Sequence, residues 1–273
     1  MRNSSIKCRE CSYETIDLTV EDEQAFYLCE NCGWGKEVYH PFRIGVWSVK
    51  IQQALAPIDV LHSLLTSKDI VTFLRPRLKG ASYLSTSTLG FEMGDEYFRG
   101  EVEIANKVYL SQMIVLALTY AELIVKNFHR CLFFEQPKRM NHFLSTDEKK
   151  AKVYLNEILD APSKEDLLSG LVERAANKAS GRKIYEIVSA LVKDCKLTLK
   201  DSIIQDLKLL NEKRNNIVHE GKVDEINIEQ VLSGYGQLMR LLYILGEAAI
   251  HYNLPFIDEV GFLSDFREQL QSQ

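Results

Sequence analysis

The sequence predicts a mainly α protein, a helical bundle preceded by a small β unit, and three observations carry that reading. Two tight cysteine pairs fall within the first forty residues. Strand-like runs rich in β-branched and aromatic residues lie between them. From about residue 101 to 252 the apolar residues recur three and four apart, the period of a helix with one buried face.

In the β unit, residues 1–40, the expected strands are "YETIDLTV" and "QAFYLC", joined by an acidic turn, "EDEQ". The pairs "CREC" and "CENCG" stand 17 residues apart. The start "MRNSSIKCRE" has no apolar signal segment, so the expected setting is a reducing one, where paired cysteines point to metal rather than disulfides. Each CxxC turn offers two thiolates, and four thiolates in tetrahedral array suit Zn²⁺. Cys8, Cys11, Cys29 and Cys32 are therefore the expected ligands of a zinc ribbon, with Gly33 permitting the tight turn after the second pair. So short a unit buries little core, and the metal should supply most of its folding free energy. A closed Cys₄ site is structural rather than catalytic. The unit also carries Lys7, Arg9, Tyr13, Tyr27, Trp34 and Lys36, which suit a small module for recognition or scaffolding. Cys131 and Cys195 fall in helical segments and read as packing residues.

Residues 41–98 read as a partly helical connector. "WSVKIQQALAPIDVLHSLL" has helical spacing that Pro57 should interrupt or kink, and "KGASYLSTSTLGFEMGDEYFRG" reads as a loop. The helical domain, 99–255, begins with a long apolar helix, Glu101–Phe134, expected to run through the middle of the bundle. A second helix is expected near "STDEKK", where Ser145 and Glu148 have capping-box spacing. Further helices are expected at 163–176, 182–194, 202–220 and 225–252, and residues 256–273 form a C-terminal tail, docked or loose.

The composition, 46% hydrophobic and 26% charged, is that of a folded protein. A net charge of −5 excludes a broadly basic nucleic-acid coat, so any polyanion must meet a local patch. The stretch 126–152 is one, with seven Lys and Arg against three acids. The longest apolar run in the middle, Met113–Leu118, falls short of a membrane span, and the expected location is the cytoplasm.

The residues with chemistry lie in "NEKRNNIVHEG", 211–221. The apolar row of that helix steps Ile203, Leu207, Leu210, then Ile217, and Arg214 takes the core-facing slot between the last two. A guanidinium there needs a carboxylate or an anionic ligand. Glu122, one turn from Lys126 in "ELIVK", is the carboxylate candidate on the long helix. His219 adds a group able to take and give a proton near neutral pH, just ahead of Gly221, a natural helix terminator. On an ideal helix five residues turn ~500°, leaving Arg214 and His219 about 140° apart, so a composite site at a two-fold axis would focus both on one atom.

Arg214-Asn215-Asn216-Ile217-Val218-His219 resembles the R-x4-H motif of HEPN domains, an all-helical ribonuclease superfamily common in prokaryotic defence and toxin–antitoxin systems. "ELIVK" resembles the family's E-x3-K element, whose acid contacts the motif arginine. The resemblance covers roughly 101–252 and leaves the ribbon and connector outside. It implies a HEPN-like bundle, a homodimer, and cleavage of RNA with no catalytic metal, with a defence-system or antitoxin protein as partner. Of the motif residues it implies that His219 is the general base or acid and that Arg214 stabilises the charge on phosphorus. Asn215 or Asn216 would then orient phosphate or ribose, with Glu122 and Lys126 in support. The alternative is a non-catalytic HEPN module for dimerisation and for RNA or nucleotide binding, with the ribbon as the recognition element. A DNA-binding ribbon regulator fits poorly with the net acidity.

Overall fold

A computed structural model describes residues 2–21, 24–70, 72–73, 95–144, 153–197, 202–223 and 226–271. Its short strands are β1 (Arg2–Asn3), β2 (Ser5–Ile6), β3 (Ile16–Glu21), β4 (Gln24–Leu28), β5 (Gly35–Val38), β6 (Phe42–Arg43) and β7 (Phe256–Asp258). The helices are α1 (Ile44–Leu65), α2 (Asp95–Glu135), α3 (Asn141–Leu144), α4 (Leu155–Asp160), α5 (Lys164–Ser180), α6 (Ile184–Cys195), α7 (Ser202–Glu220), α8 (Ile228–His251) and α9 (Phe262–Gln271), with a 3₁₀ turn at Pro137–Met140. The chain is thus mainly helical with a small antiparallel sheet and a cysteine cluster at its N-terminal end.

Strands β2-β3-β4-β5 form the first sheet, antiparallel throughout. Alternation sends Ile16, Leu18, Ala25 and Tyr27 inward, as period-two patterning requires. A second sheet, ordered β1-β7-β6, joins the two ends of the chain: Asn3 pairs with Ile257, and Phe42 with Phe256. Ile257 packs with the cysteines and Tyr27 in the small core of the β unit. Ser4 links the sheets, its hydroxyl 2.7 Å from Tyr27 Oη and accepting from Phe256 N–H at 2.9 Å.

Helix α2 begins at Asp95, six residues before the expected start, so the end of the expected glycine-rich loop is helical; residues 79–94 lie outside the described residues. Residues 99–135 are long and apolar enough to cross a membrane, yet half of the most apolar window is buried within the protein. Ile114, Leu118, Ile124, Phe128 and Phe133 are part of the main core, which accounts for that apolarity. Around α2 pack α1, α5, α7 and α8.

Helix α1 runs unbroken through Pro57, against the expected interruption. Proline removes one hydrogen bond, the one that Gln53 would accept, and both residues are exposed, where water replaces it. Its Ile44, Trp47, Ile51 and Ile58 are buried in the main core, so this part of the connector is built into the bundle. The residues after 255 likewise pack rather than trail. Buried Asp258 accepts from the N–H groups of Phe262 and Leu263 at 2.9 and 3.0 Å, closing the N-terminus of α9. The expected capping box at Ser145 and Glu148 lies outside the described residues, as do Asp22 and Glu23 of the acidic turn.

Candidate metal centre and candidate catalytic site

The two cysteine turns are built alike. Cys8 N–H donates to Tyr13 O at 3.0 Å and Cys29 N–H to Trp34 O at 2.8 Å, each five residues on. Ser12 N–H donates to Cys8 O at 3.2 Å and Gly33 N–H to Cys29 O at 2.8 Å. Ser12 and Gly33 both take positive φ, 59° and 74°, the left-handed step that turns the chain under the sulfurs. Ser12 was passed over in the sequence, although it follows its pair as Gly33 follows the other.

These turns gather Cys8, Cys11, Cys29 and Cys32, with all four sulfurs within 4.8 Å of one another. Cys8 and Cys32 are 3.5 Å apart, Cys11 and Cys29 3.6 Å. Tetrahedral thiolates about 2.3 Å from a metal stand roughly 3.8 Å apart, so the donor set fits a metal of this kind. The Asn31 side chain and the Tyr13 backbone draw the Cys11 thiol down to about 6, while burial and the three neighbouring sulfurs push Cys32 up to about 12, as expected of four thiols that share one site.

The second constellation lies on α7. Ile203, Leu207, Leu210 and Ile217 are buried, and Arg214 is half-buried on the same row. Its Nη1 donates to Asn215 Oδ1 at 3.3 Å. His219 is exposed in the last turn, and Gly221 follows at φ 65°, donating its N–H to Ile217 O. Lys222 N–H donates to Asn216 O at 3.3 Å, so half-buried Asn216 helps close the helix.

The expected fork from Glu122 to Arg214 is not formed within one chain, and among the described residues no carboxylate pairs with Arg214. Helix direction explains this. A Cβ on Gly234 of α8 would stand 3.1 Å from Leu210 Cδ1 and 3.6 Å from Ile114 Cδ1, which sets Leu210 and Ile114 at one level. Gln237 Nε2 donates to Asp206 Oδ2 at 3.1 Å, so α7 and α8 are antiparallel. Gln136 at the end of α2 reaches Tyr252 O beyond the end of α8, so those two helices run the same way. Moving from Leu210 to Arg214 therefore moves back along α2 towards residue 110. Glu122 lies about 12 residues away in the other direction, ~18 Å along the axis. Glu122 is exposed.

Lys126 has a different partner. Its ammonium lies 2.5 Å from Glu173 Oε1 on α5, and Arg130, one turn on, pairs with Glu173 Oε2 through Nε at 2.6 Å and through Nη2. Burial opposes ionisation of Glu173, yet the two cations hold its carboxyl below the usual carboxylate range. Two members of the basic stretch thus share one acid, and no local sequence signal joins α2 to α5. The structure groups Arg214, Asn215, Asn216 and His219 on one helix end, and leaves Glu122 and Lys126 apart from them.

Comparison with protein-family models, with curated proteins and with solved structures returned no match.

Proposed function

We propose that this chain is a metal-independent endoribonuclease of HEPN type that works as a homodimer, with a structural Zn²⁺ held by Cys8, Cys11, Cys29 and Cys32. The observation that carries the reading is Arg214: a half-buried guanidinium on a buried apolar row, with no carboxylate partner among the described residues, five positions before an exposed histidine. Such a cation is stabilised by an anion, and a phosphodiester supplies one.

The chemistry suits these groups. The RNA 2′-OH gives its proton to His219 as its oxygen bonds to the adjacent phosphorus. The bond from phosphorus to the 5′ oxygen breaks, and that oxygen takes a proton from a second acid, the partner subunit's His219 in a symmetric site. The products are a 2′,3′-cyclic phosphate and a 5′-OH. Arg214 stabilises the charge on the phosphorane oxygens, and Asn215 or Asn216 orients phosphate or ribose. A defence or toxin role in the cytoplasm, with an antitoxin or defence partner, belongs to the same proposal.

The test is RNA cleavage in EDTA by wild type, Arg214→Ala and His219→Ala, with zinc content measured on the same samples. His219→Ala should lower the rate about 10²- to 10⁴-fold and Arg214→Ala about 10²- to 10³-fold. Equal cleavage by all three proteins would remove the site assignment. One observation favours a second reading, a non-catalytic HEPN module for RNA or nucleotide binding: Glu122 and Lys126, the supporting pair, stand apart from Arg214. Absence of product from wild type, with RNA binding retained, would select that reading.

A further inference from the structure

Where the chain leaves the β unit, it lays aromatic rings against the end of α2. Tyr39, 62% exposed, stacks on Phe134 with ring centres 6.5 Å apart and planes at 27°. The exposed His40 ring lies 4.9 Å from the same Phe134. Beside them opens a cavity of about 380 Å³ lined by His40, Arg130, Phe134, Ser169, Gly170 and Glu173, with Asp166 and Val172 completing the wall. Gly170 faces open space, since no atom lies within 4 Å of where its Cβ would stand.

Arg130 stands against Glu173 and Asp166 in the lining, Lys126 shares Glu173 from outside it, and partial burial together with Arg130 lowers the pKa of His40. A site with exposed π faces, polar walls and no excess of cations suits a flat, hydrogen-bonding ring better than a phosphate. Exposed Lys138 follows four residues after Phe134, in the 3₁₀ turn that succeeds α2. The cavity is also remote from Arg214: Arg130 lies about 20 residues along α2 from the level of Arg214, ~30 Å.

We infer that Tyr39, His40 and Phe134, with the cavity beside Arg130 and Gly170, form a stacking platform for an unpaired base of single-stranded RNA. The choice of RNA rests on the ribonuclease reading; the geometry of the platform does not. The platform would hold the strand at the junction of ribbon and bundle while a distant phosphodiester is cut.

The experiment is fluorescence anisotropy with a short labelled single-stranded RNA and the full chain carrying His219→Ala, which blocks the proposed cleavage. Tyr39→Ala removes a ring with little cost to folding. Gly170→Leu fills the cavity from a helix that gains propensity by the change. Each should weaken binding by about 5- to 100-fold, the worth of one base–aromatic stack, with unchanged circular dichroism. Unchanged affinity in both variants overturns the platform, as does equal affinity for duplex RNA. A free mononucleotide that binds as tightly as the strand overturns the strand assignment. Without the His219→Ala change, cleavage unaffected by Tyr39→Ala and Gly170→Leu leaves the nuclease standing and removes the platform. Platform-dependent binding without cleavage by wild type does the reverse.

Discussion

The β unit and the bundle solve the same problem by different means. The bundle folds around a continuous apolar core that α2 threads, with Ile114, Ala117, Ala121 and Phe128 fully buried. The β unit has a core of a few side chains, two of them cysteines, and takes Ile257 from the far end of the chain to complete it. One region is stable through area removed from water, and the other through a borrowed strand and, on the proposal above, ligand bonds to a metal. The difference teaches that removing a metal and creating a cavity should leave separable signatures in one chain.

Removing the proposed metal should be the largest perturbation, since ligation of this kind is worth about 10–16 kcal/mol in small zinc modules. A strong chelator, or Cys29→Ser, should abolish hydrogen-exchange protection across residues 5–38 while amides of α8 keep theirs. Uniform loss through both regions would erase the distinction drawn above. Acid should act on the bundle as well as on the thiolates of the β unit. His129 is buried among Phe128, Phe133 and Phe143, its ring nitrogen 2.9 Å from Val125 O, and burial lowers its pKa to about 4. The unfolded chain, with a histidine near ~6.5, binds the extra proton first, so stability falls as pH drops from 6.5 towards 4 and is flat above that window. The loss should approach about 3 kcal/mol, read as a falling denaturant midpoint, and His129→Phe should flatten the slope.

Smaller effects sharpen the contrast between the acids near α2. Glu173→Gln leaves Lys126 and Arg130 without their shared carboxylate and should cost about 1 kcal/mol, since water screens a group this exposed. Thermal unfolding would measure it. Glu122→Gln should change stability by less than about 0.5 kcal/mol, because the carboxylate is exposed. A larger loss on dilution of the Glu122→Gln protein would place that carboxylate at a contact between copies.

What the sequence made legible follows from the range of the interactions. Helix α7 is found at 202–220 as expected, because period and termini are local properties. The cysteine cluster was legible because CxxC spacing fixes ligand geometry within four residues. The level at which α7 meets α2 was not, since it depends on helix directions set by loops between them. For that reason Glu122 and Arg214 looked like partners while lying ~18 Å apart along the axis. Glu173 went unnoticed because its role depends on α5 lying against α2. Pro57 does not interrupt α1, because its cost depends on which side of the helix meets solvent.

The pairing of Asn3 with Ile257 also sets a timetable. A ribosome delivers the cysteine turns more than 200 residues ahead of the strand that completes their core. At ordinary elongation rates the wait is about 11–45 s. Through that interval the nascent β unit lacks Ile257 and the Phe256 amide, and the proposed metal would be what gathers its four sulfurs. If that metal is zinc, cells starved of it should lose this protein during synthesis, at concentrations where finished chains persist.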